Sequence, residues 1–450
     1  MPAEPSLKEV RAAVDSAFHD VRAWLDKLVS IPSISADGFG AHRVRESAEV
    51  TAEWLERSGL DEVRLLDAGD AHPAVFGFTP GPEGSPKVLL YAHHDVQPPG
   101  RTDLWKSPPF EPTEREGRLY GRGTADDKAG IAVHAAALQA WEGKPPVGVA
   151  VFIEGEEEIA SSHLPQFLNK YEELLRADVT ILADFTNWRV GEPALTTSVR
   201  GILDCLVEVR TLDRAVHSGR YGGPVPDALT ALSRLIATLH TRKGDVAVKG
   251  LRTGPPHDMR LPESDLGRLV GLRPGVRFLG EGPLSHRLWG RPAISVLGID
   301  APSTADAAHQ LVPTATAQIS IRLAPGDDTQ RAFRAVERHL QRRAPWGAEV
   351  TVRQCREGEP YRIDASGPAF EAFRRACSDT WGCAPVEPGS GGSLPSVAAL
   401  AAAYPETELL LTGVEDLESN THSENESVHL GELRNCCVNE AMLLGYLAAI

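Results

Sequence analysis

The sequence predicts an α/β fold: a doubly wound, mainly parallel sheet forms a discontinuous first domain, and an α+β domain is inserted into it. Three observations support this prediction. Short apolar runs alternate with helical segments up to about residue 194. From 195 to 357 the strands alternate apolar and polar residues, which is typical of a half-solvated antiparallel sheet. From 358 to 450 the first pattern returns, so we assign 1–194 and 358–450 to one domain.

The first domain opens with helical periodicity over residues 6–28 and 41–58, and Gly59 suits the position just after a helix. Its predicted strands are continuous apolar runs, as expected of strands that are buried on both faces. They alternate with predicted helices over 126–141 and 162–175, and they are Val88–Tyr91, Val147–Ile153 and Val179–Leu182.

The inserted domain has a β-α-β-α-β pattern. Its alternating strands are predicted over Ile202–Val209, Thr314–Leu323 and Val350–Cys355, and its helices over 224–240 and 328–343. The segment from about 243 to 300 is rich in glycine and proline and is predicted to be irregular. The first domain then resumes, with helices predicted over 368–381 and 430–447 and a strand at Leu409–Leu411.

The composition indicates a large globular protein. Of 450 residues, 42% are hydrophobic and 24% are charged, and the net charge of −16 disfavours nucleic acid and anionic membranes as main partners. The sequence has no apolar run of about 18 residues, so no transmembrane helix is predicted. Met1–Lys8 lacks the apolar stretch of a signal peptide, and six cysteines form no C-x-x-C pair. We therefore expect a cytoplasmic protein.

Acidic residues and histidines gather where the predicted strands end, at the edge where an α/β sheet binds its ligands. The first pair is His93 and Asp95. Alternate residues of an extended chain point the same way, and a metal-binding histidine usually needs a partner on its other ring nitrogen. We predict His93 as a metal ligand and Asp95 as the residue that orients it. The alternative is a surface hydrogen bond between the two.

Asp126 follows the glycine-rich turn Gly121–Gly123 and opens a predicted helix. A carboxylate has two oxygens and can bridge two cations about 3.5–4 Å apart. The alternative is an aspartate that caps the helix, and both roles can hold together. Lys128 is expected to be a surface cation or a neighbour of the site.

A dense acidic run follows the strand that ends at Ile153. It contains Glu154, Glu156, Glu157 and Glu158. Such density is unfavourable unless cations neutralise it, and the alternative is a solvated acidic loop. Two adjacent glutamates can divide the chemistry, because one can bind metal while the other accepts a proton from an activated water.

Asp184 closes the run Thr180–Ala183, where it could be a terminal metal ligand or part of a cap or turn. His422 lies in a polar, turn-rich segment after Gly413, and alone it would be an ordinary loop histidine. Together these groups supply histidines, carboxylates and one free base, which suits two divalent metals with an open water position.

The sequence resembles the M20 family of metallopeptidases, in the dipeptidase branch that includes carnosinase-like and PepV-like enzymes. The resemblance rests on G-R-G-T-A-D-D-K (Gly121–Lys128) with the downstream Glu157-Glu158 pair, and it spans nearly the whole chain. It implies two divalent metal ions, expected to be zinc, with manganese or cobalt as alternatives.

The resemblance also implies roles for the residues of the acidic and histidine groups. His93 and Asp184 would bind one metal, Glu158 and His422 the other, and Asp126 both. Glu157 would be the general base and Asp95 would orient His93. The Asp126–Asp127 peptide bond is expected to be cis.

The inserted domain resembles the family's lid, which often also forms the surface of a homodimer. His217 in V-H-S-G-R-Y-G-G resembles a histidine that reaches the substrate, commonly from the partner subunit; the alternative is a surface histidine in a turn. Arg322 resembles an arginine that binds the substrate carboxylate, a task that suits a bidentate guanidinium. The turn that would receive the same carboxylate consists of Gly391, Gly392 and Ser393.

Two positions depart from the family pattern, and a third distinguishes branches of the family. Gln310 stands where relatives commonly have Asn or Thr, and Glu156 replaces a residue that is often apolar. Asp184, rather than a glutamate, resembles dipeptidase and aminopeptidase members. The implied activity is hydrolysis of dipeptides or short peptides with a free C-terminal carboxylate. The alternatives are an N-acyl-amino-acid deacylase or desuccinylase on the same scaffold, or a non-catalytic scaffold protein.

Overall fold

The computed structural model describes residues 6–257, 259–392 and 395–450. The helices of these residues are α1 (Leu7–Val29), α2 (Ala41–Arg57), α3 (Lys128–Ala140), α4 (Leu164–Lys170), α5 (Glu172–Leu175), α6 (Ser218–Tyr221), α7 (Ala228–Ala237), α8 (Glu263–Leu269), α9 (Thr329–Arg342), α10 (Pro368–Trp381), α11 (Pro395–Ala403) and α12 (Leu430–Leu447). None of the helices in these described ranges is both long and apolar enough to cross a membrane.

The strands of the same residues are β1 (Glu62–Leu66), β2 (Ala74–Thr79), β3 (Lys87–His93), β4 (Thr113–Arg115), β5 (Arg118–Tyr120), β6 (Gly148–Glu154), β7 (Val179–Leu182), β8 (Ser198–Val199), β9 (Gly201–Arg210), β10 (Val216–His217), β11 (Ala293–Asp300), β12 (Gln310–Leu311), β13 (Thr314–Leu323), β14 (Glu349–Gly358), β15 (Tyr361–Arg362), β16 (Gly389–Ser390), β17 (Glu408–Leu411) and β18 (Ser427–His429).

The chain forms two compact units. The first comprises the described parts of Met1–Thr197 together with Ile363–Glu387 and Pro395–Ile450. The second comprises Ser198–Arg362 and the described part of Pro388–Leu394. The sequence analysis drew its boundaries at 194/195 and 357/358. The short β16 segment belongs to the second unit because it pairs with β8 rather than with strands of the first unit.

The first unit is built on a sheet with the strand order β1-β2-β6-β3-β7-β17. Strands β6, β3, β7 and β17 run parallel to one another. Strand β2 pairs with β6 in antiparallel fashion, and β1 pairs with β2 in the same way. Every residue of β6 and β7 is buried, which requires cover on both faces of the sheet. The mainly parallel α/β fold predicted from the sequence is confirmed.

Helix packing in this unit follows the apolar stripes of the sequence. Helix α3 packs between α1 and α12, and α10 packs on α12. The predicted helix over 162–175 is wrong in detail, because it is divided at Tyr171, which ends α4 and precedes α5. The antiparallel strands β1 and β2, of which β1 forms one edge of the sheet, were not predicted.

The second unit has an antiparallel sheet with the order β11-β13-β9-β14. Alternate residues of β9 form its core: Leu203, Cys205, Val207 and Val209 pack with apolar residues of α7 and α9. The intervening residues lie on the opposite face of the sheet, as the period of two requires. The irregular segment predicted from 243 to 300 contains α8 and the edge strand β11, which its glycines and prolines concealed.

Candidate metal centre

Three members of the acidic and histidine groups lie where three neighbouring parallel strands end. His93 is the last residue of β3, Glu154 is the last residue of β6, and Asp184 comes two residues after β7. Because these strands are parallel and adjacent, their carboxyl ends share one edge of the sheet. The folding of the sheet therefore brings these polar groups together.

Asp126 lies between the two predicted histidine ligands. Its Oδ1 is 3.0 Å from His93 Nε2, and its Oδ2 is 2.9 Å from His422 Nε2. The two oxygens of one carboxylate thus face different imidazoles. The side chain of His93 is fully buried, whereas that of His422 is 57% exposed, so the site is open on the side of His422.

The remaining predicted ligands are adjacent to these three. Glu158 Oε2 is 3.1 Å from His422 Nε2, and Asp184 Oδ1 is 3.7 Å from His93 Nε2. In each of two groups of residues, the ligand atoms all lie within 4.8 Å of one another. One group is His93, Asp126 and Glu158, and the other is His93, Glu157 and Asp184.

Asp95 connects His93 to the acidic pair. Its Oδ1 is 3.3 Å from His93 Nδ1, and its carbonyl oxygen is 3.0 Å from the same nitrogen. Its carboxylate also accepts the backbone N–H groups of Glu157 at 3.2 Å and Glu158 at 3.1 Å, as well as the hydroxyl of Ser35 at 2.6 Å. One buried carboxylate therefore contacts both the histidine and the turn that carries the two glutamates.

The electrostatics of the cluster show an excess of negative charge. Burial raises the pKa of Glu157 well above its ordinary value, and the charge of Asp184 raises it further. Burial, followed by the charge of Asp126, raises the pKa of Glu158 to about 7. The hydrogen bonds with Asp126 and Glu158 raise the pKa of His422 to about 11. The neighbouring carboxylates therefore disfavour one another's ionised forms, and a cation among them would relieve that repulsion.

The donor set fits divalent metal ions. Mixed imidazole and carboxylate ligands suit zinc, manganese and cobalt. Asp184 Oδ2 is buried and has no hydrogen-bond partner among the described residues, which is costly unless a further partner binds it. The residues of this cluster can therefore hold metal.

Glu415 is a further acidic residue of the cluster that was not predicted from the sequence. A carboxylate oxygen of Glu415 lies within 4.8 Å of ligand atoms of Asp126 and Asp184, and Thr186 Oγ1 donates to it at 3.2 Å. Burial, followed by the charge of Asp126, raises the pKa of Glu415 well above its ordinary value. A sequence signal was present, since Glu415 follows the predicted strand Leu409–Leu411 as Asp184 follows Val179–Leu182.

A buried ion pair holds the turn that carries Asp126. Arg122 Nη1 donates to Glu426 Oε2 at 2.5 Å, and Glu426 Oε1 accepts the backbone N–H groups of Ala125 at 3.0 Å and Asp126 at 3.2 Å. The peptide bond between Asp126 and Asp127 is cis, as the family resemblance implied.

Lys128 is not at the surface. Its side chain is fully buried, and Nζ donates to the carbonyl oxygens of Leu28 at 2.7 Å and Ile31 at 2.8 Å. The ammonium group therefore satisfies carbonyl groups at the end of α1. Burial lowers the pKa of Lys128 to about 7.

The predicted substrate residues belong to the second unit. His217 is exposed, pairs with Gln310 between β10 and β12, and accepts the N–H of Gly219 at 3.1 Å. Arg322 lies on β13; burial lowers its pKa, and no hydrogen bond or ion pair engages its guanidinium within the described ranges.

The glycine turn that follows β16 lies next to another arginine. Arg200 Nη2 donates to the carbonyl oxygen of Gly391 at 3.4 Å, and the N–H of Gly392 donates to Ser390 Oγ at 3.2 Å. Ser393 lies outside the described residues.

Comparisons with known proteins identify the family of this chain. The family model described as "Peptidase family M20/M25/M40" matches residues 89–444. A cysteinylglycine-S-conjugate dipeptidase of Corynebacterium striatum is 34% identical over 424 residues, which cover 90% of this chain and 92% of that protein.

Two solved structures share the fold. The dipeptidase Dug1p of Saccharomyces cerevisiae has a TM-score of 0.84 at 23% identity, covering 99% of both chains. Human carnosine dipeptidase 1 has a TM-score of 0.82 at 22% identity, covering 100% of both chains.

Proposed function

Because this chain belongs to peptidase family M20/M25/M40 and is a metallopeptidase of its dipeptidase branch, we propose that it cleaves dipeptides or other short peptides that have a free C-terminal carboxylate. One observation carries the proposal. Asp126 presents one oxygen to each of two histidines, with Glu158 beside one histidine and Asp184 beside the other. This is the ligand arrangement that a pair of metal ions with a shared carboxylate needs.

The ligands divide into two groups. His93 and Asp184 would hold one metal ion, Glu158 and His422 would hold the other, and Asp126 would be shared by both. We propose zinc, with manganese or cobalt as alternatives, since mixed nitrogen and oxygen sites accept all three. When bound, such ions polarise a scissile carbonyl and lower the pKa of a water molecule.

Glu157 is the proposed general base. It lies within the His93 and Asp184 group, and its backbone is held by Asp95. Its carboxylate takes the proton of the attacking water and later passes it to the leaving amine. Asp95 keeps His93 in the orientation that directs Nε2 toward Asp126.

The residues of the second unit are proposed to bind the substrate. Arg322 binds the terminal carboxylate, and the turn of Gly391, Gly392 and Ser393 receives the same group through backbone and hydroxyl donors. His217 stabilises the oxyanion of the tetrahedral intermediate. Support comes from the motif resemblance and from Arg322, whose guanidinium feels the charge of Asp204 but forms no hydrogen bond or ion pair within the described residues.

A homodimer through the second unit is also proposed. Strand β11 pairs with β13 on one side, and Val296, Leu297 and Ile299 of β11 are exposed. An edge strand with exposed apolar residues is a surface for a second chain. Sedimentation analysis should give a dimer for the wild type and a weaker dimer for Leu297→Lys; a wild-type monomer would contradict this part of the proposal.

Hydrolysis of a dipeptide library, with and without a chelator, tests the proposed function. We expect cleavage that the chelator abolishes and added metal restores. Preferential cleavage of N-acyl amino acids would instead indicate the deacylase alternative. Pure protein that binds no metal and cleaves neither class would indicate the non-catalytic alternative.

A further inference from the structure

Glu156 is a buried carboxylate for which the proposed mechanism has no use. It precedes Glu157 and Glu158, and only 3% of it is exposed. An apolar residue would fill the same volume without the cost of burying a charge. Its contacts therefore indicate what the carboxylate contributes.

The Glu156 carboxylate joins three segments of the first unit. Oε1 accepts the backbone N–H of His72 at 2.8 Å, and Oε2 is 2.7 Å from His163 Nδ1. The Glu156 carbonyl accepts the N–H groups of Ile159 at 3.2 Å and Ser161 at 2.9 Å. Glu156 thus binds the loop before the turn, the helix entry after it, and the turn itself.

The same turn is held from its other side by Asp95. The Asp95 carboxylate accepts the N–H groups of Glu157 and Glu158, and it also accepts the hydroxyl of Ser35. The Ser35 carbonyl in turn lies 3.4 Å from His72 Nε2. Glu156, His72, Ser35 and Asp95 therefore form a closed chain of contacts around the acidic pair.

Gly155 shows how closely these segments approach. A Cβ at this position would lie 2.7 Å from the carbonyl oxygen of Pro73 and 2.9 Å from His94 Nε2. The loop that carries His72 therefore packs directly on the turn before Glu156. Only a residue without a side chain permits this contact.

We propose that Glu156 is a positioning residue whose carboxylate, together with His72 and His163, fixes the turn that presents Glu157 and Glu158 to the metal centre. The proposal rests on the proposed function for the roles of those two glutamates. The positioning itself is a property of the metal-free chain and is measurable without catalysis.

The first test is hydrogen–deuterium exchange of the segment 154–161 in metal-free protein. Glu156→Ala removes both carboxylate contacts, so amide exchange in this segment should rise about tenfold or more, because the turn opens more readily. Glu156→Gln keeps an acceptor for the His72 N–H and should recover part of the protection. His163→Ala, at a side chain that is 28% exposed, removes one contact and should give an intermediate increase.

The second test measures zinc affinity by chelator competition, together with kcat and KM on a cleaved dipeptide. Loss of a group that holds metal ligands typically costs about 10- to 100-fold in affinity or activity. We expect Glu156→Ala to lose about that much in zinc affinity and kcat, with KM changed less than about threefold, and Glu156→Gln to restore part of the loss.

Glu432→Ala is the matched control. Glu432 is 2% exposed and accepts the Gly191 N–H at 2.9 Å and the Trp381 indole N–H at 3.0 Å, away from the acidic turn. It should lower thermal stability without changing exchange in 154–161. Unchanged exchange in Glu156→Ala, or an equal increase in Glu432→Ala, overturns the positioning role. A wild-type protein that cleaves no dipeptide with added metal would instead refute the proposed function and leave the exchange result valid.

Discussion

The Nε2 of His422 lies 2.9 Å from Oδ2 of Asp126, while the other oxygen of the same carboxylate faces His93 at 3.0 Å. His422 comes from the loop between β17 and β18, and Asp126 from the turn before α3. A carboxylate shared in this way can hold two cations at the separation found in two-metal hydrolases.

Replacing Glu157 by glutamine should abolish turnover while both metal ions stay bound. The amide has nearly the same shape as the carboxylate but cannot take a proton from water, so kcat should fall by about 10² to 10⁴. The measurement is kcat on a cleaved dipeptide, together with the metal content of the pure variant. Glu158→Gln is the control, because it should lose metal as well as activity. Near-normal turnover by Glu157→Gln would refute the assignment of Glu157 as the general base.

Metal binding should release protons at neutral pH. Without metal, the hydrogen bonds with Asp126 and Glu158 raise the pKa of His422 to about 11, so the imidazole is charged below that pH. A metal ion binds neutral imidazole, so the proton must leave, and apparent affinity should increase between about pH 6 and pH 9. Calorimetry in phosphate and in Tris should give different apparent enthalpies of metal binding, because the released protons are taken up by buffers with different ionisation enthalpies.

The same titration with His422→Gln isolates the contribution of this histidine. The variant should release about one proton fewer per subunit and bind metal more weakly. Identical apparent enthalpies for wild type in both buffers would argue against a protonated His422 in the metal-free protein.

Replacing Arg322 by alanine should selectively impair substrates with a free C-terminal carboxylate. Loss of a charge-assisted contact should lower kcat/KM about 10- to 100-fold on the free dipeptide and much less on its amide. Arg210→Ala, at the exposed end of β9 in the same sheet, is the matched control and should leave kcat/KM unchanged on both substrates. Equal losses on both substrates would count against a carboxylate contact.

Replacing His217 by alanine should lower kcat, because an oxyanion donor is lost. If the histidine acts across a dimer, mixing His217→Ala with Glu157→Gln creates heterodimers that have one complete site. Random exchange of subunits should then restore roughly one quarter of wild-type activity. Each variant measured alone is the control, and no recovery after verified subunit exchange would place His217 within one subunit or outside the reaction.

The sequence predicted the buried strands, and the edge of the sheet where they end, better than it predicted the edge strands and the helix boundaries. Continuous apolar runs located β3, β6 and β7, because strands buried on both faces need apolar residues throughout. The edge strands β1 and β11 were missed, since their residues are largely exposed and lack that pattern. The break at Tyr171 was missed because helical periodicity continues across it.

Side-chain roles in the site were harder to predict where the partner is distant in sequence. Lys128 was expected to be a surface cation or a neighbour of the site, but the carbonyl groups that bind it belong to the end of α1, which no local pattern reveals. Glu415 was missed because its position near Asp184 depends on β17 lying beside β7. Glu156 was recognised as unusual, but its partners His72 and His163 were found only in the folded chain.

The sequence by itself determined which chemical groups this protein can bring to a metal centre and which strands end beside them. Residue type and local periodicity are properties of short segments, so they can be read without a fold. Only the tertiary structure decided that Asp126 lies between His93 and His422, and that Asp95 and Glu156 hold the acidic turn from two sides. Those relationships arise from the packing of distant segments, whose geometry depends on the whole sheet and the helices that cover it.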